Sequence, residues 1–201
     1  MKIHLTIYIA LLSLCFNCIL ADSSKHYINL DALRGLKTEK STDIVNKMNH
    51  QDINYYLDSL EHENVRAIEM YAVLNNYDEN YYHDKAFRSG NIVAPLTTNG
   101  SAFADVVQYD YWDNLIYVIR ECDKRSIYAI VNPLGPEVYK NVRPNKGMIR
   151  IYMNLLSRIL EKETNVIWRI DETIMGNDEK EIAEEMIKMI KVHNRKQLII
   201  D

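Results

Sequence analysis

Two adjacent carboxylates, Asp171 and Glu172, follow the apolar run NVIWRI. The run is short and continuous, which is typical of a strand in a buried sheet. Acidic side chains at the end of such a strand can exchange protons with a bound substrate, as general acid–base chemistry requires. A solvated turn or a helix cap uses the same residue types. Asp171 and Glu172 are therefore the candidate catalytic residues, with a turn as the competing interpretation.

Further polar and aromatic residues lie close to the other predicted elements. Asn75 follows the run VRAIEMYAVL, Asn132 closes the run SIYAIVN, and Tyr111 and Trp112 open the helical segment YWDNLIYVIRECDKR. Asparagine amides can hydrogen-bond sugar hydroxyls and aromatic rings can stack on sugar rings, but Asn also forms turns and aromatic residues also pack loops. We take these four as candidate substrate-binding residues.

The elements that must position these residues alternate along the chain. Short apolar runs centred near Ile68, Ala129, Ile167 and Ile199 are separated by amphipathic helical segments. This order predicts an α/β fold, with a parallel sheet covered on both faces. An open doubly wound sheet and a barrel both fit. The six glycines form no phosphate-binding fingerprint, and polar residues gather after the strands, so we favour a partial (β/α) TIM-type barrel of about the first five βα units.

Composition excludes several classes of function. The chain has 201 residues, 47% hydrophobic and 26% charged, which suffices for one domain with a core. The net charge of −4 does not support a basic groove for nucleic acid. The six histidines show no metal-ligand spacing, and no Ser-His-Asp arrangement can be argued. We expect no cofactor and no metal.

Residues 1–21 read MKIHLTIYIALLSLCFNCILA, with a lysine before an apolar run and a small residue at the end. This pattern is typical of a secretory signal peptide, and a membrane anchor is the alternative. Both place the rest of the chain outside the cytoplasm, so we expect a secreted or extracytoplasmic protein. Residues 22–49 have no clear period and are interpreted as a lead-in segment, followed by an incomplete barrel domain over residues 50–201.

Three segments carry a family resemblance. DINYYLDSLEHENVRAIEMYAV, then YDYWDNLIYVIRECDKRSIYAIVNPLG, then GMIRIYMNLLSRILEKETNVIWRIDE resemble the apiosidase-like (β/α)8-barrel glycoside hydrolases, whose members often carry a domain of unknown function associated with polysaccharide-degrading enzymes. The resemblance covers roughly residues 50–201 and is strongest over 165–168. It implies a secreted protein that binds carbohydrate or hydrolyses its O-glycosyl bonds.

The resemblance leaves two alignments of the acidic residues open. Without a gap, Thr173 takes the place of the family's acid. Alternatively, Asp171 and Glu172 resemble the Asn-Glu pair that many barrel glycosidases place after strand 4, which makes Glu172 the proton donor and Asp171 the residue that orients the sugar.

Two-carboxylate hydrolysis also needs a second acid roughly 5 to 9 Å away. In such barrels the second acid comes from a later strand, whereas we expect this chain to end on its fifth. The sequence therefore predicts a truncated or inactive glycoside-hydrolase-like protein. The alternative is a noncatalytic carbohydrate-binding or partner-dependent half barrel, and an open sheet edge favours self-association in either case.

Overall fold

Five parallel strands form one sheet in the order β1-β2-β3-β4-β5. The computed structural model describes residues 35–97, 110–171 and 179–200. The expected signal peptide, a short strand considered near residues 26–30, Glu172 and Thr173 lie outside the described residues. The strands are β1 (Thr38–Lys40), β2 (Ala67–Tyr71), β3 (Tyr128–Asn132), β4 (Val166–Arg169) and β5 (Leu198–Ile200).

Helices connect the strands and cover one face of the sheet. Each of the four predicted strand centres falls inside a strand, and the α/β class with a parallel sheet is confirmed. Within the described residues, no helix is long and apolar enough to span a bilayer. The helices are α1 (His50–His62), α2 (Tyr111–Lys124), α3 (Pro136–Val142), α4 (Lys146–Ile159) and α5 (Glu179–His193).

The sheet begins earlier than the sequence indicated. β1 lies in the segment interpreted as a lead-in and pairs with β2, so that Lys40 stands opposite Glu69. Ile44 and Val45, which follow β1, are buried in the main core. The letters TEK carry no apolar pattern, so β1 is specified by its partner strand rather than by its own propensity.

The two faces of the sheet differ in what covers them. Side chains alternate along each strand, so Met70, Val131 and Trp168 point to the helix-covered face and join the main core. Ala67, Ile130 and Ile167 form a second, smaller apolar cluster, with Tyr128, Leu198 and Ile200 packed against it. We call the second face the inner face.

Side-chain caps fix where the helices begin. Asn49 accepts a hydrogen bond from the backbone N–H of Asp52 at 2.9 Å and starts α1. At α2, Asp110 accepts from the N–H of Asp113, and Asp113 accepts from the N–H of Asp110, both at 3.1 Å. This reciprocal pair satisfies donors that a helix start leaves open, so the position of α2 along the chain is fixed.

Candidate functional site

A polar cluster lies on the inner face, where β1, β3 and β4 end and beside the middle of β2. Glu69 of β2 is its centre. Arg169 of β4 donates from Nη1 to Glu69 Oε2 at 2.8 Å, and Lys40 Nζ of β1 lies 3.4 Å from Oε1. Asn132 of β3 donates from Nδ2 to the same Oε1 at 3.3 Å. We call these four residues the inner-face cluster.

Strand register explains why these residues meet. Lys40 pairs with Glu69 in the β1–β2 ladder, and Glu69 pairs with Ile130 in the β2–β3 ladder. Ile130 pairs in turn with Ile167, two residues before Arg169. Residues opposite or two apart in a parallel sheet share a face, so the fold itself gathers the charges.

The inner-face cluster contains more hydrogen-bond donors than its one carboxylate uses. The Glu69 side chain is 12% exposed, whereas those of Arg169 and Lys40 are 36% and 56% exposed. A guanidinium carries five N–H donors and an ammonium three. The side chains of Arg169 and Lys40 therefore reach solvent with donors to spare, which is what recognition of hydroxyl or carboxylate oxygens requires.

The structure places Asn132 in this cluster but in a supporting position. It is 3% exposed, and its Nδ2 also lies 3.3 Å from the carbonyl oxygen of Met70. Both amide hydrogens thus have partners within the protein. Asn132 donates to Glu69 from the protein interior and so helps to fix the position of its carboxylate. The substrate-binding role predicted for Asn132 stays a prediction.

Asp171 lies two residues beyond Arg169 and is partly buried. Burial raises the pKa of the Tyr139 hydroxyl, and the negative charge of Asp171 raises it further. Asp171 is therefore close to α3, at the same end of the sheet as the cluster. Its predicted catalytic role stays a prediction, as does that of Glu172.

Asn75 lies in the turn that follows β2. Its Oδ1 accepts from the N–H of Tyr77 at 2.9 Å, and its Nδ2 donates to Asp78. Asp78 also accepts from the N–H of Leu74 at 2.5 Å and of Asn75 at 3.0 Å. Burial raises the pKa of Asp78, and these donors work against that rise. The turn holds the wall of a cleft in a fixed shape.

This cleft has a volume of about 1500 Å³ and opens beside the turn. Tyr77 and Tyr81 are 70% and 50% exposed at its rim. The cleft thus combines aromatic faces with short polar side chains, the composition of many small-molecule sites. We call it the β2 cleft, and its lining includes Asn46, Asn75, Tyr77, Tyr81 and His83.

Two glycines allow the close approaches around the cleft. Gly135 donates its N–H to the carbonyl oxygen of Val73 at 2.7 Å, and a Cβ there would lie 2.3 Å from the carbonyl oxygen of Leu74. Gly90 has φ +72°, and a Cβ there would lie 2.7 Å from the Tyr77 ring. The loop that follows β2 and the loop that follows β3 can therefore touch only because residue 135 has no side chain.

Tyr111 and Trp112 support the β2 cleft from the core. They are 0% and 1% exposed. The Tyr111 hydroxyl lies 2.9 Å from the carbonyl oxygen of Ala72 and 3.1 Å from Oδ1 of Asn46. Trp112 donates from Nε1 to the carbonyl oxygen of Leu96 at 3.1 Å. Neither ring presents a face to solvent, and both pack in the core; the substrate-binding role predicted for them stays a prediction.

Sequence reasoning missed three members of the cluster. Glu69 and Arg169 are single charges inside the otherwise apolar strands AIEMY and VIWR, and Lys40 belongs to a strand that was not predicted. A charged residue inside a buried strand is costly unless it is paired. That anomaly was the available signal for Glu69 and Arg169.

Metal and thiol chemistry find no support in the part of the chain that the structure describes. No group of three His, Cys, Asp or Glu side chains there is arranged to hold a metal ion. Burial raises the pKa of Cys122 to about 12, so its thiol stays protonated at neutral pH.

Comparison with known proteins identifies the fold. No protein-family model matches the chain, and no curated protein matches it significantly. Among solved structures, one described as a glycoside hydrolase has 20% identity and a TM-score of 0.68, over 81% of this chain and 35% of that chain. A glycoside hydrolase family 5 protein from Bacteroides vulgatus has 18% identity and a TM-score of 0.69, over 82% and 34%.

A hyperthermostable endo-1,4-β-D-mannanase from Thermotoga petrophila has 14% identity and a TM-score of 0.57, over 82% of this chain and 54% of that chain. This chain thus spans between about a third and about half of these neighbours' length. The predicted resemblance to glycoside-hydrolase barrels is confirmed at the level of the fold, as is the partial TIM-type barrel.

Proposed function

We propose that this protein binds carbohydrate at the carboxyl ends of its strands. The inner-face cluster is the observation that carries the proposal, because it offers spare donors from Arg169 and Lys40 around one fixed carboxylate. Barrels of this class place their sites at this face, and the similar solved structures are described as glycoside hydrolases. Sugar hydroxyls donate to a carboxylate and accept from N–H groups, so Glu69 and its two cations match them.

The β2 cleft, lined by residues of the loop that follows the strand supplying Glu69, is the second part of the proposed site. Tyr77 and Tyr81 supply exposed rings on which the apolar face of a pyranose can stack. Asn75 and His83 lie on the same lining and supply polar groups for its edge. Several sugar rings fit in the volume of about 1500 Å³, so the proposed ligand is a polysaccharide or oligosaccharide chain.

Hydrolysis of O-glycosyl bonds is the second candidate function. Asp171 follows the strand that supplies Arg169, and in the resemblance Glu172 donates the proton while Asp171 orients the sugar. A two-carboxylate mechanism needs a second acid across the scissile bond. Under this hypothesis a further βα unit or a partner chain supplies it, and without it the protein binds sugar and does not cleave it.

We also propose that the protein works outside the cytoplasm. The support is the sequence of residues 1–21, with one lysine, an apolar run and a small final residue. A glycan ligand is consistent with that location.

The test measures binding of the full chain to a panel of soluble polysaccharides by affinity electrophoresis, in which binding retards the protein in the gel. Arg169→Gln removes donors from the inner-face cluster and should weaken binding about tenfold, the equivalent of one charged hydrogen bond. Arg120→Gln is the matched control, because Arg120 also pairs with a glutamate at 2.8 Å, but on helix α2. Equal retardation of Arg169→Gln and wild type would refute the site.

The same preparations separate binding from hydrolysis. Release of reducing sugar that Glu172→Gln abolishes while binding persists would favour the hydrolase. Binding with no released sugar would favour the noncatalytic protein.

A further inference from the structure

Four aromatic side chains form an unbroken series of ring contacts beside the β2 cleft. The Tyr81 and Tyr82 rings meet edge to face, with 5.4 Å between their centroids, and Tyr82 meets His50 in the same way at 5.2 Å. The His50 ring stacks on the Tyr117 ring, with 3.7 Å between centroids. We call these four residues the aromatic strip. It leads from the loop that follows β2, past the first residue of α1, to the middle of α2.

Hydrogen bonds hold three of the four rings in place. The backbone N–H of His50 donates to the Tyr82 hydroxyl at 3.0 Å. Asn54 donates from Nδ2 to the Tyr117 hydroxyl at 2.8 Å. Nε2 of His50 lies 3.1 Å from Oδ1 of Asn114. Rings that are fixed in this way lose little conformational freedom when a ligand lies on them, which favours its binding.

The aromatic strip is nevertheless open to solvent. Tyr81 and Tyr82 are 50% and 44% exposed, and His50 and Tyr117 are partly exposed. In the hydrogen bonds above, the hydroxyls of Tyr82 and Tyr117 are acceptors, so each keeps its own hydrogen to donate. The strip therefore offers ring faces together with hydroxyl donors at their edges. A pyranose matches this combination, because it has an apolar face of C–H groups and polar hydroxyls around its edge.

Tyr81 connects the aromatic strip to the β2 cleft, because its side chain also lines the cleft. A sugar chain that leaves the cleft past Tyr81 meets Tyr82 next, since the two rings touch. The ring contacts then continue to His50 and Tyr117. The surface for stacking is thus longer than the cleft itself.

We propose that the aromatic strip is a distal binding surface for a linear polysaccharide, which continues onto it from the β2 cleft. This inference rests on the proposed function, since the cleft must hold sugar for the chain to reach the strip. It gives His50, Tyr82 and Tyr117 a role in ligand binding. It also predicts that long chains bind more tightly than short ones, because only a long chain covers both the cleft and the strip.

The experiment is isothermal titration calorimetry of the full chain with linear gluco-, manno- and xylo-oligosaccharides of three and six units. The wild type should bind the six-unit form of its preferred sugar about tenfold more tightly than the three-unit form. Tyr82→Ala removes a central ring of the strip. It should weaken binding of the six-unit form about tenfold and leave binding of the three-unit form within about twofold of wild type. Long chains also have more binding registers, and this statistical gain cancels when variant and wild type are compared at one length.

Two further variants serve as controls. Tyr82→Phe keeps the ring and loses only the hydroxyl, so it should weaken binding of the six-unit form less than Tyr82→Ala does. Tyr55→Ala removes another exposed tyrosine of α1, on a different side of the helix from His50, and should leave both affinities unchanged. Normal binding of the three-unit form shows in each case that the variant is folded.

The outcomes separate this inference from the proposed function. If the three-unit form binds and Tyr82→Ala binds the six-unit form as tightly as wild type does, the aromatic strip is overturned and the cleft stands. Equal losses for both lengths also overturn the strip, because they would mean that Tyr82 supports the cleft rather than contacts a distal part of the chain. A wild type that binds neither length of any sugar refutes the proposed function, and this inference with it.

Discussion

Arg169 on β4 donates from Nη1 to Oε2 of Glu69 on β2 at 2.8 Å, across β3, although the two residues are 100 positions apart in the chain. Each is the one charged residue of its strand. Their contact therefore depends on the correct assembly of three strands, and it holds the centre of the proposed site in place.

Glu69→Gln should lower the free energy of unfolding by about 1 kcal/mol, because the partly buried Arg169 and the exposed Lys40 lose their shared counter-charge. Urea denaturation measures this change. Glu63→Gln is the matched control, since Glu63 pairs with Lys37 at 3.1 Å but both side chains are more than half exposed. The control should cost less than about 0.5 kcal/mol. Equal costs for the two variants would contradict the structural role of Glu69.

Features set by neighbouring residues could be predicted from the sequence, whereas contacts between residues far apart in the chain could not. β2 to β5 were predictable because each is a short apolar run with a clear end. β1 was not, since the exposed residues TEK carry no such pattern. The inner-face cluster depends on the pairing of four strands, and contacts between residues far apart in the chain decide which residues of those strands stand side by side.

The short helix α3 and the first turn of α2 also show what local sequence patterns do not predict. α3 has seven residues, too few for a helical period to be recognised. Residue type alone makes Tyr111 and Trp112 candidates for a sugar site. Both are buried in the first turn of α2, which Asp110 caps, and burial depends on the packing of the whole helix, which residue type does not reveal.

Gly135→Ala should destabilise the protein by about 1–3 kcal/mol, the usual cost of a buried steric conflict. The added methyl group would lie 2.3 Å from the carbonyl oxygen of Leu74, and backbone atoms cannot yield as a side chain can. The readout is the urea midpoint. Gly147→Ala, in the first turn of α4, is the control: its nearest contact is the Asn145 side chain at 3.3 Å, and alanine favours the helix. A tolerated Gly135→Ala would contradict the close approach of the two loops.

Tyr111→Phe should cost about 1–2 kcal/mol, because it removes a buried hydroxyl that has two oxygen partners. Polysaccharide binding should weaken as well, since Asn46 in the β2 cleft loses its support. Tyr139→Phe provides the comparison: that hydroxyl is also buried but donates to the sulfur of Met186 at 3.9 Å. Thermal unfolding of both variants should show the larger loss for Tyr111→Phe, and the reverse order would contradict this account of the cleft floor.

Glu185→Gln should make the protein less sensitive to acid. Arg150 donates from Nε to Glu185 Oε1 at 2.6 Å, and this hydrogen bond lowers the pKa of Glu185 below its value in the unfolded chain. A lowered folded-state pKa gives stability that is present above the unfolded-state pKa and is lost as pH falls through the folded-state pKa.

Urea denaturation from about pH 6 to about pH 3 covers that window. The wild type should lose more stability over it than Glu185→Gln does, and Arg150→Gln should also show a smaller acid loss. Parallel curves for wild type and Glu185→Gln would exclude a contribution from this pair.

Cysteine reactivity tests the proposed processing of residues 1–21 and the packing of Cys122 in one titration. The chain has three cysteines, of which Cys15 and Cys18 lie in the expected signal peptide. Secreted protein, reduced and then freed of reductant, should therefore show no reactive thiol while folded, because Cys122 is buried and its pKa is raised to about 12. One thiol should react in denaturant. Three thiols in denaturant would mean that residues 1–21 remain attached. A reactive thiol in the folded, processed protein would contradict the burial of Cys122 on α2.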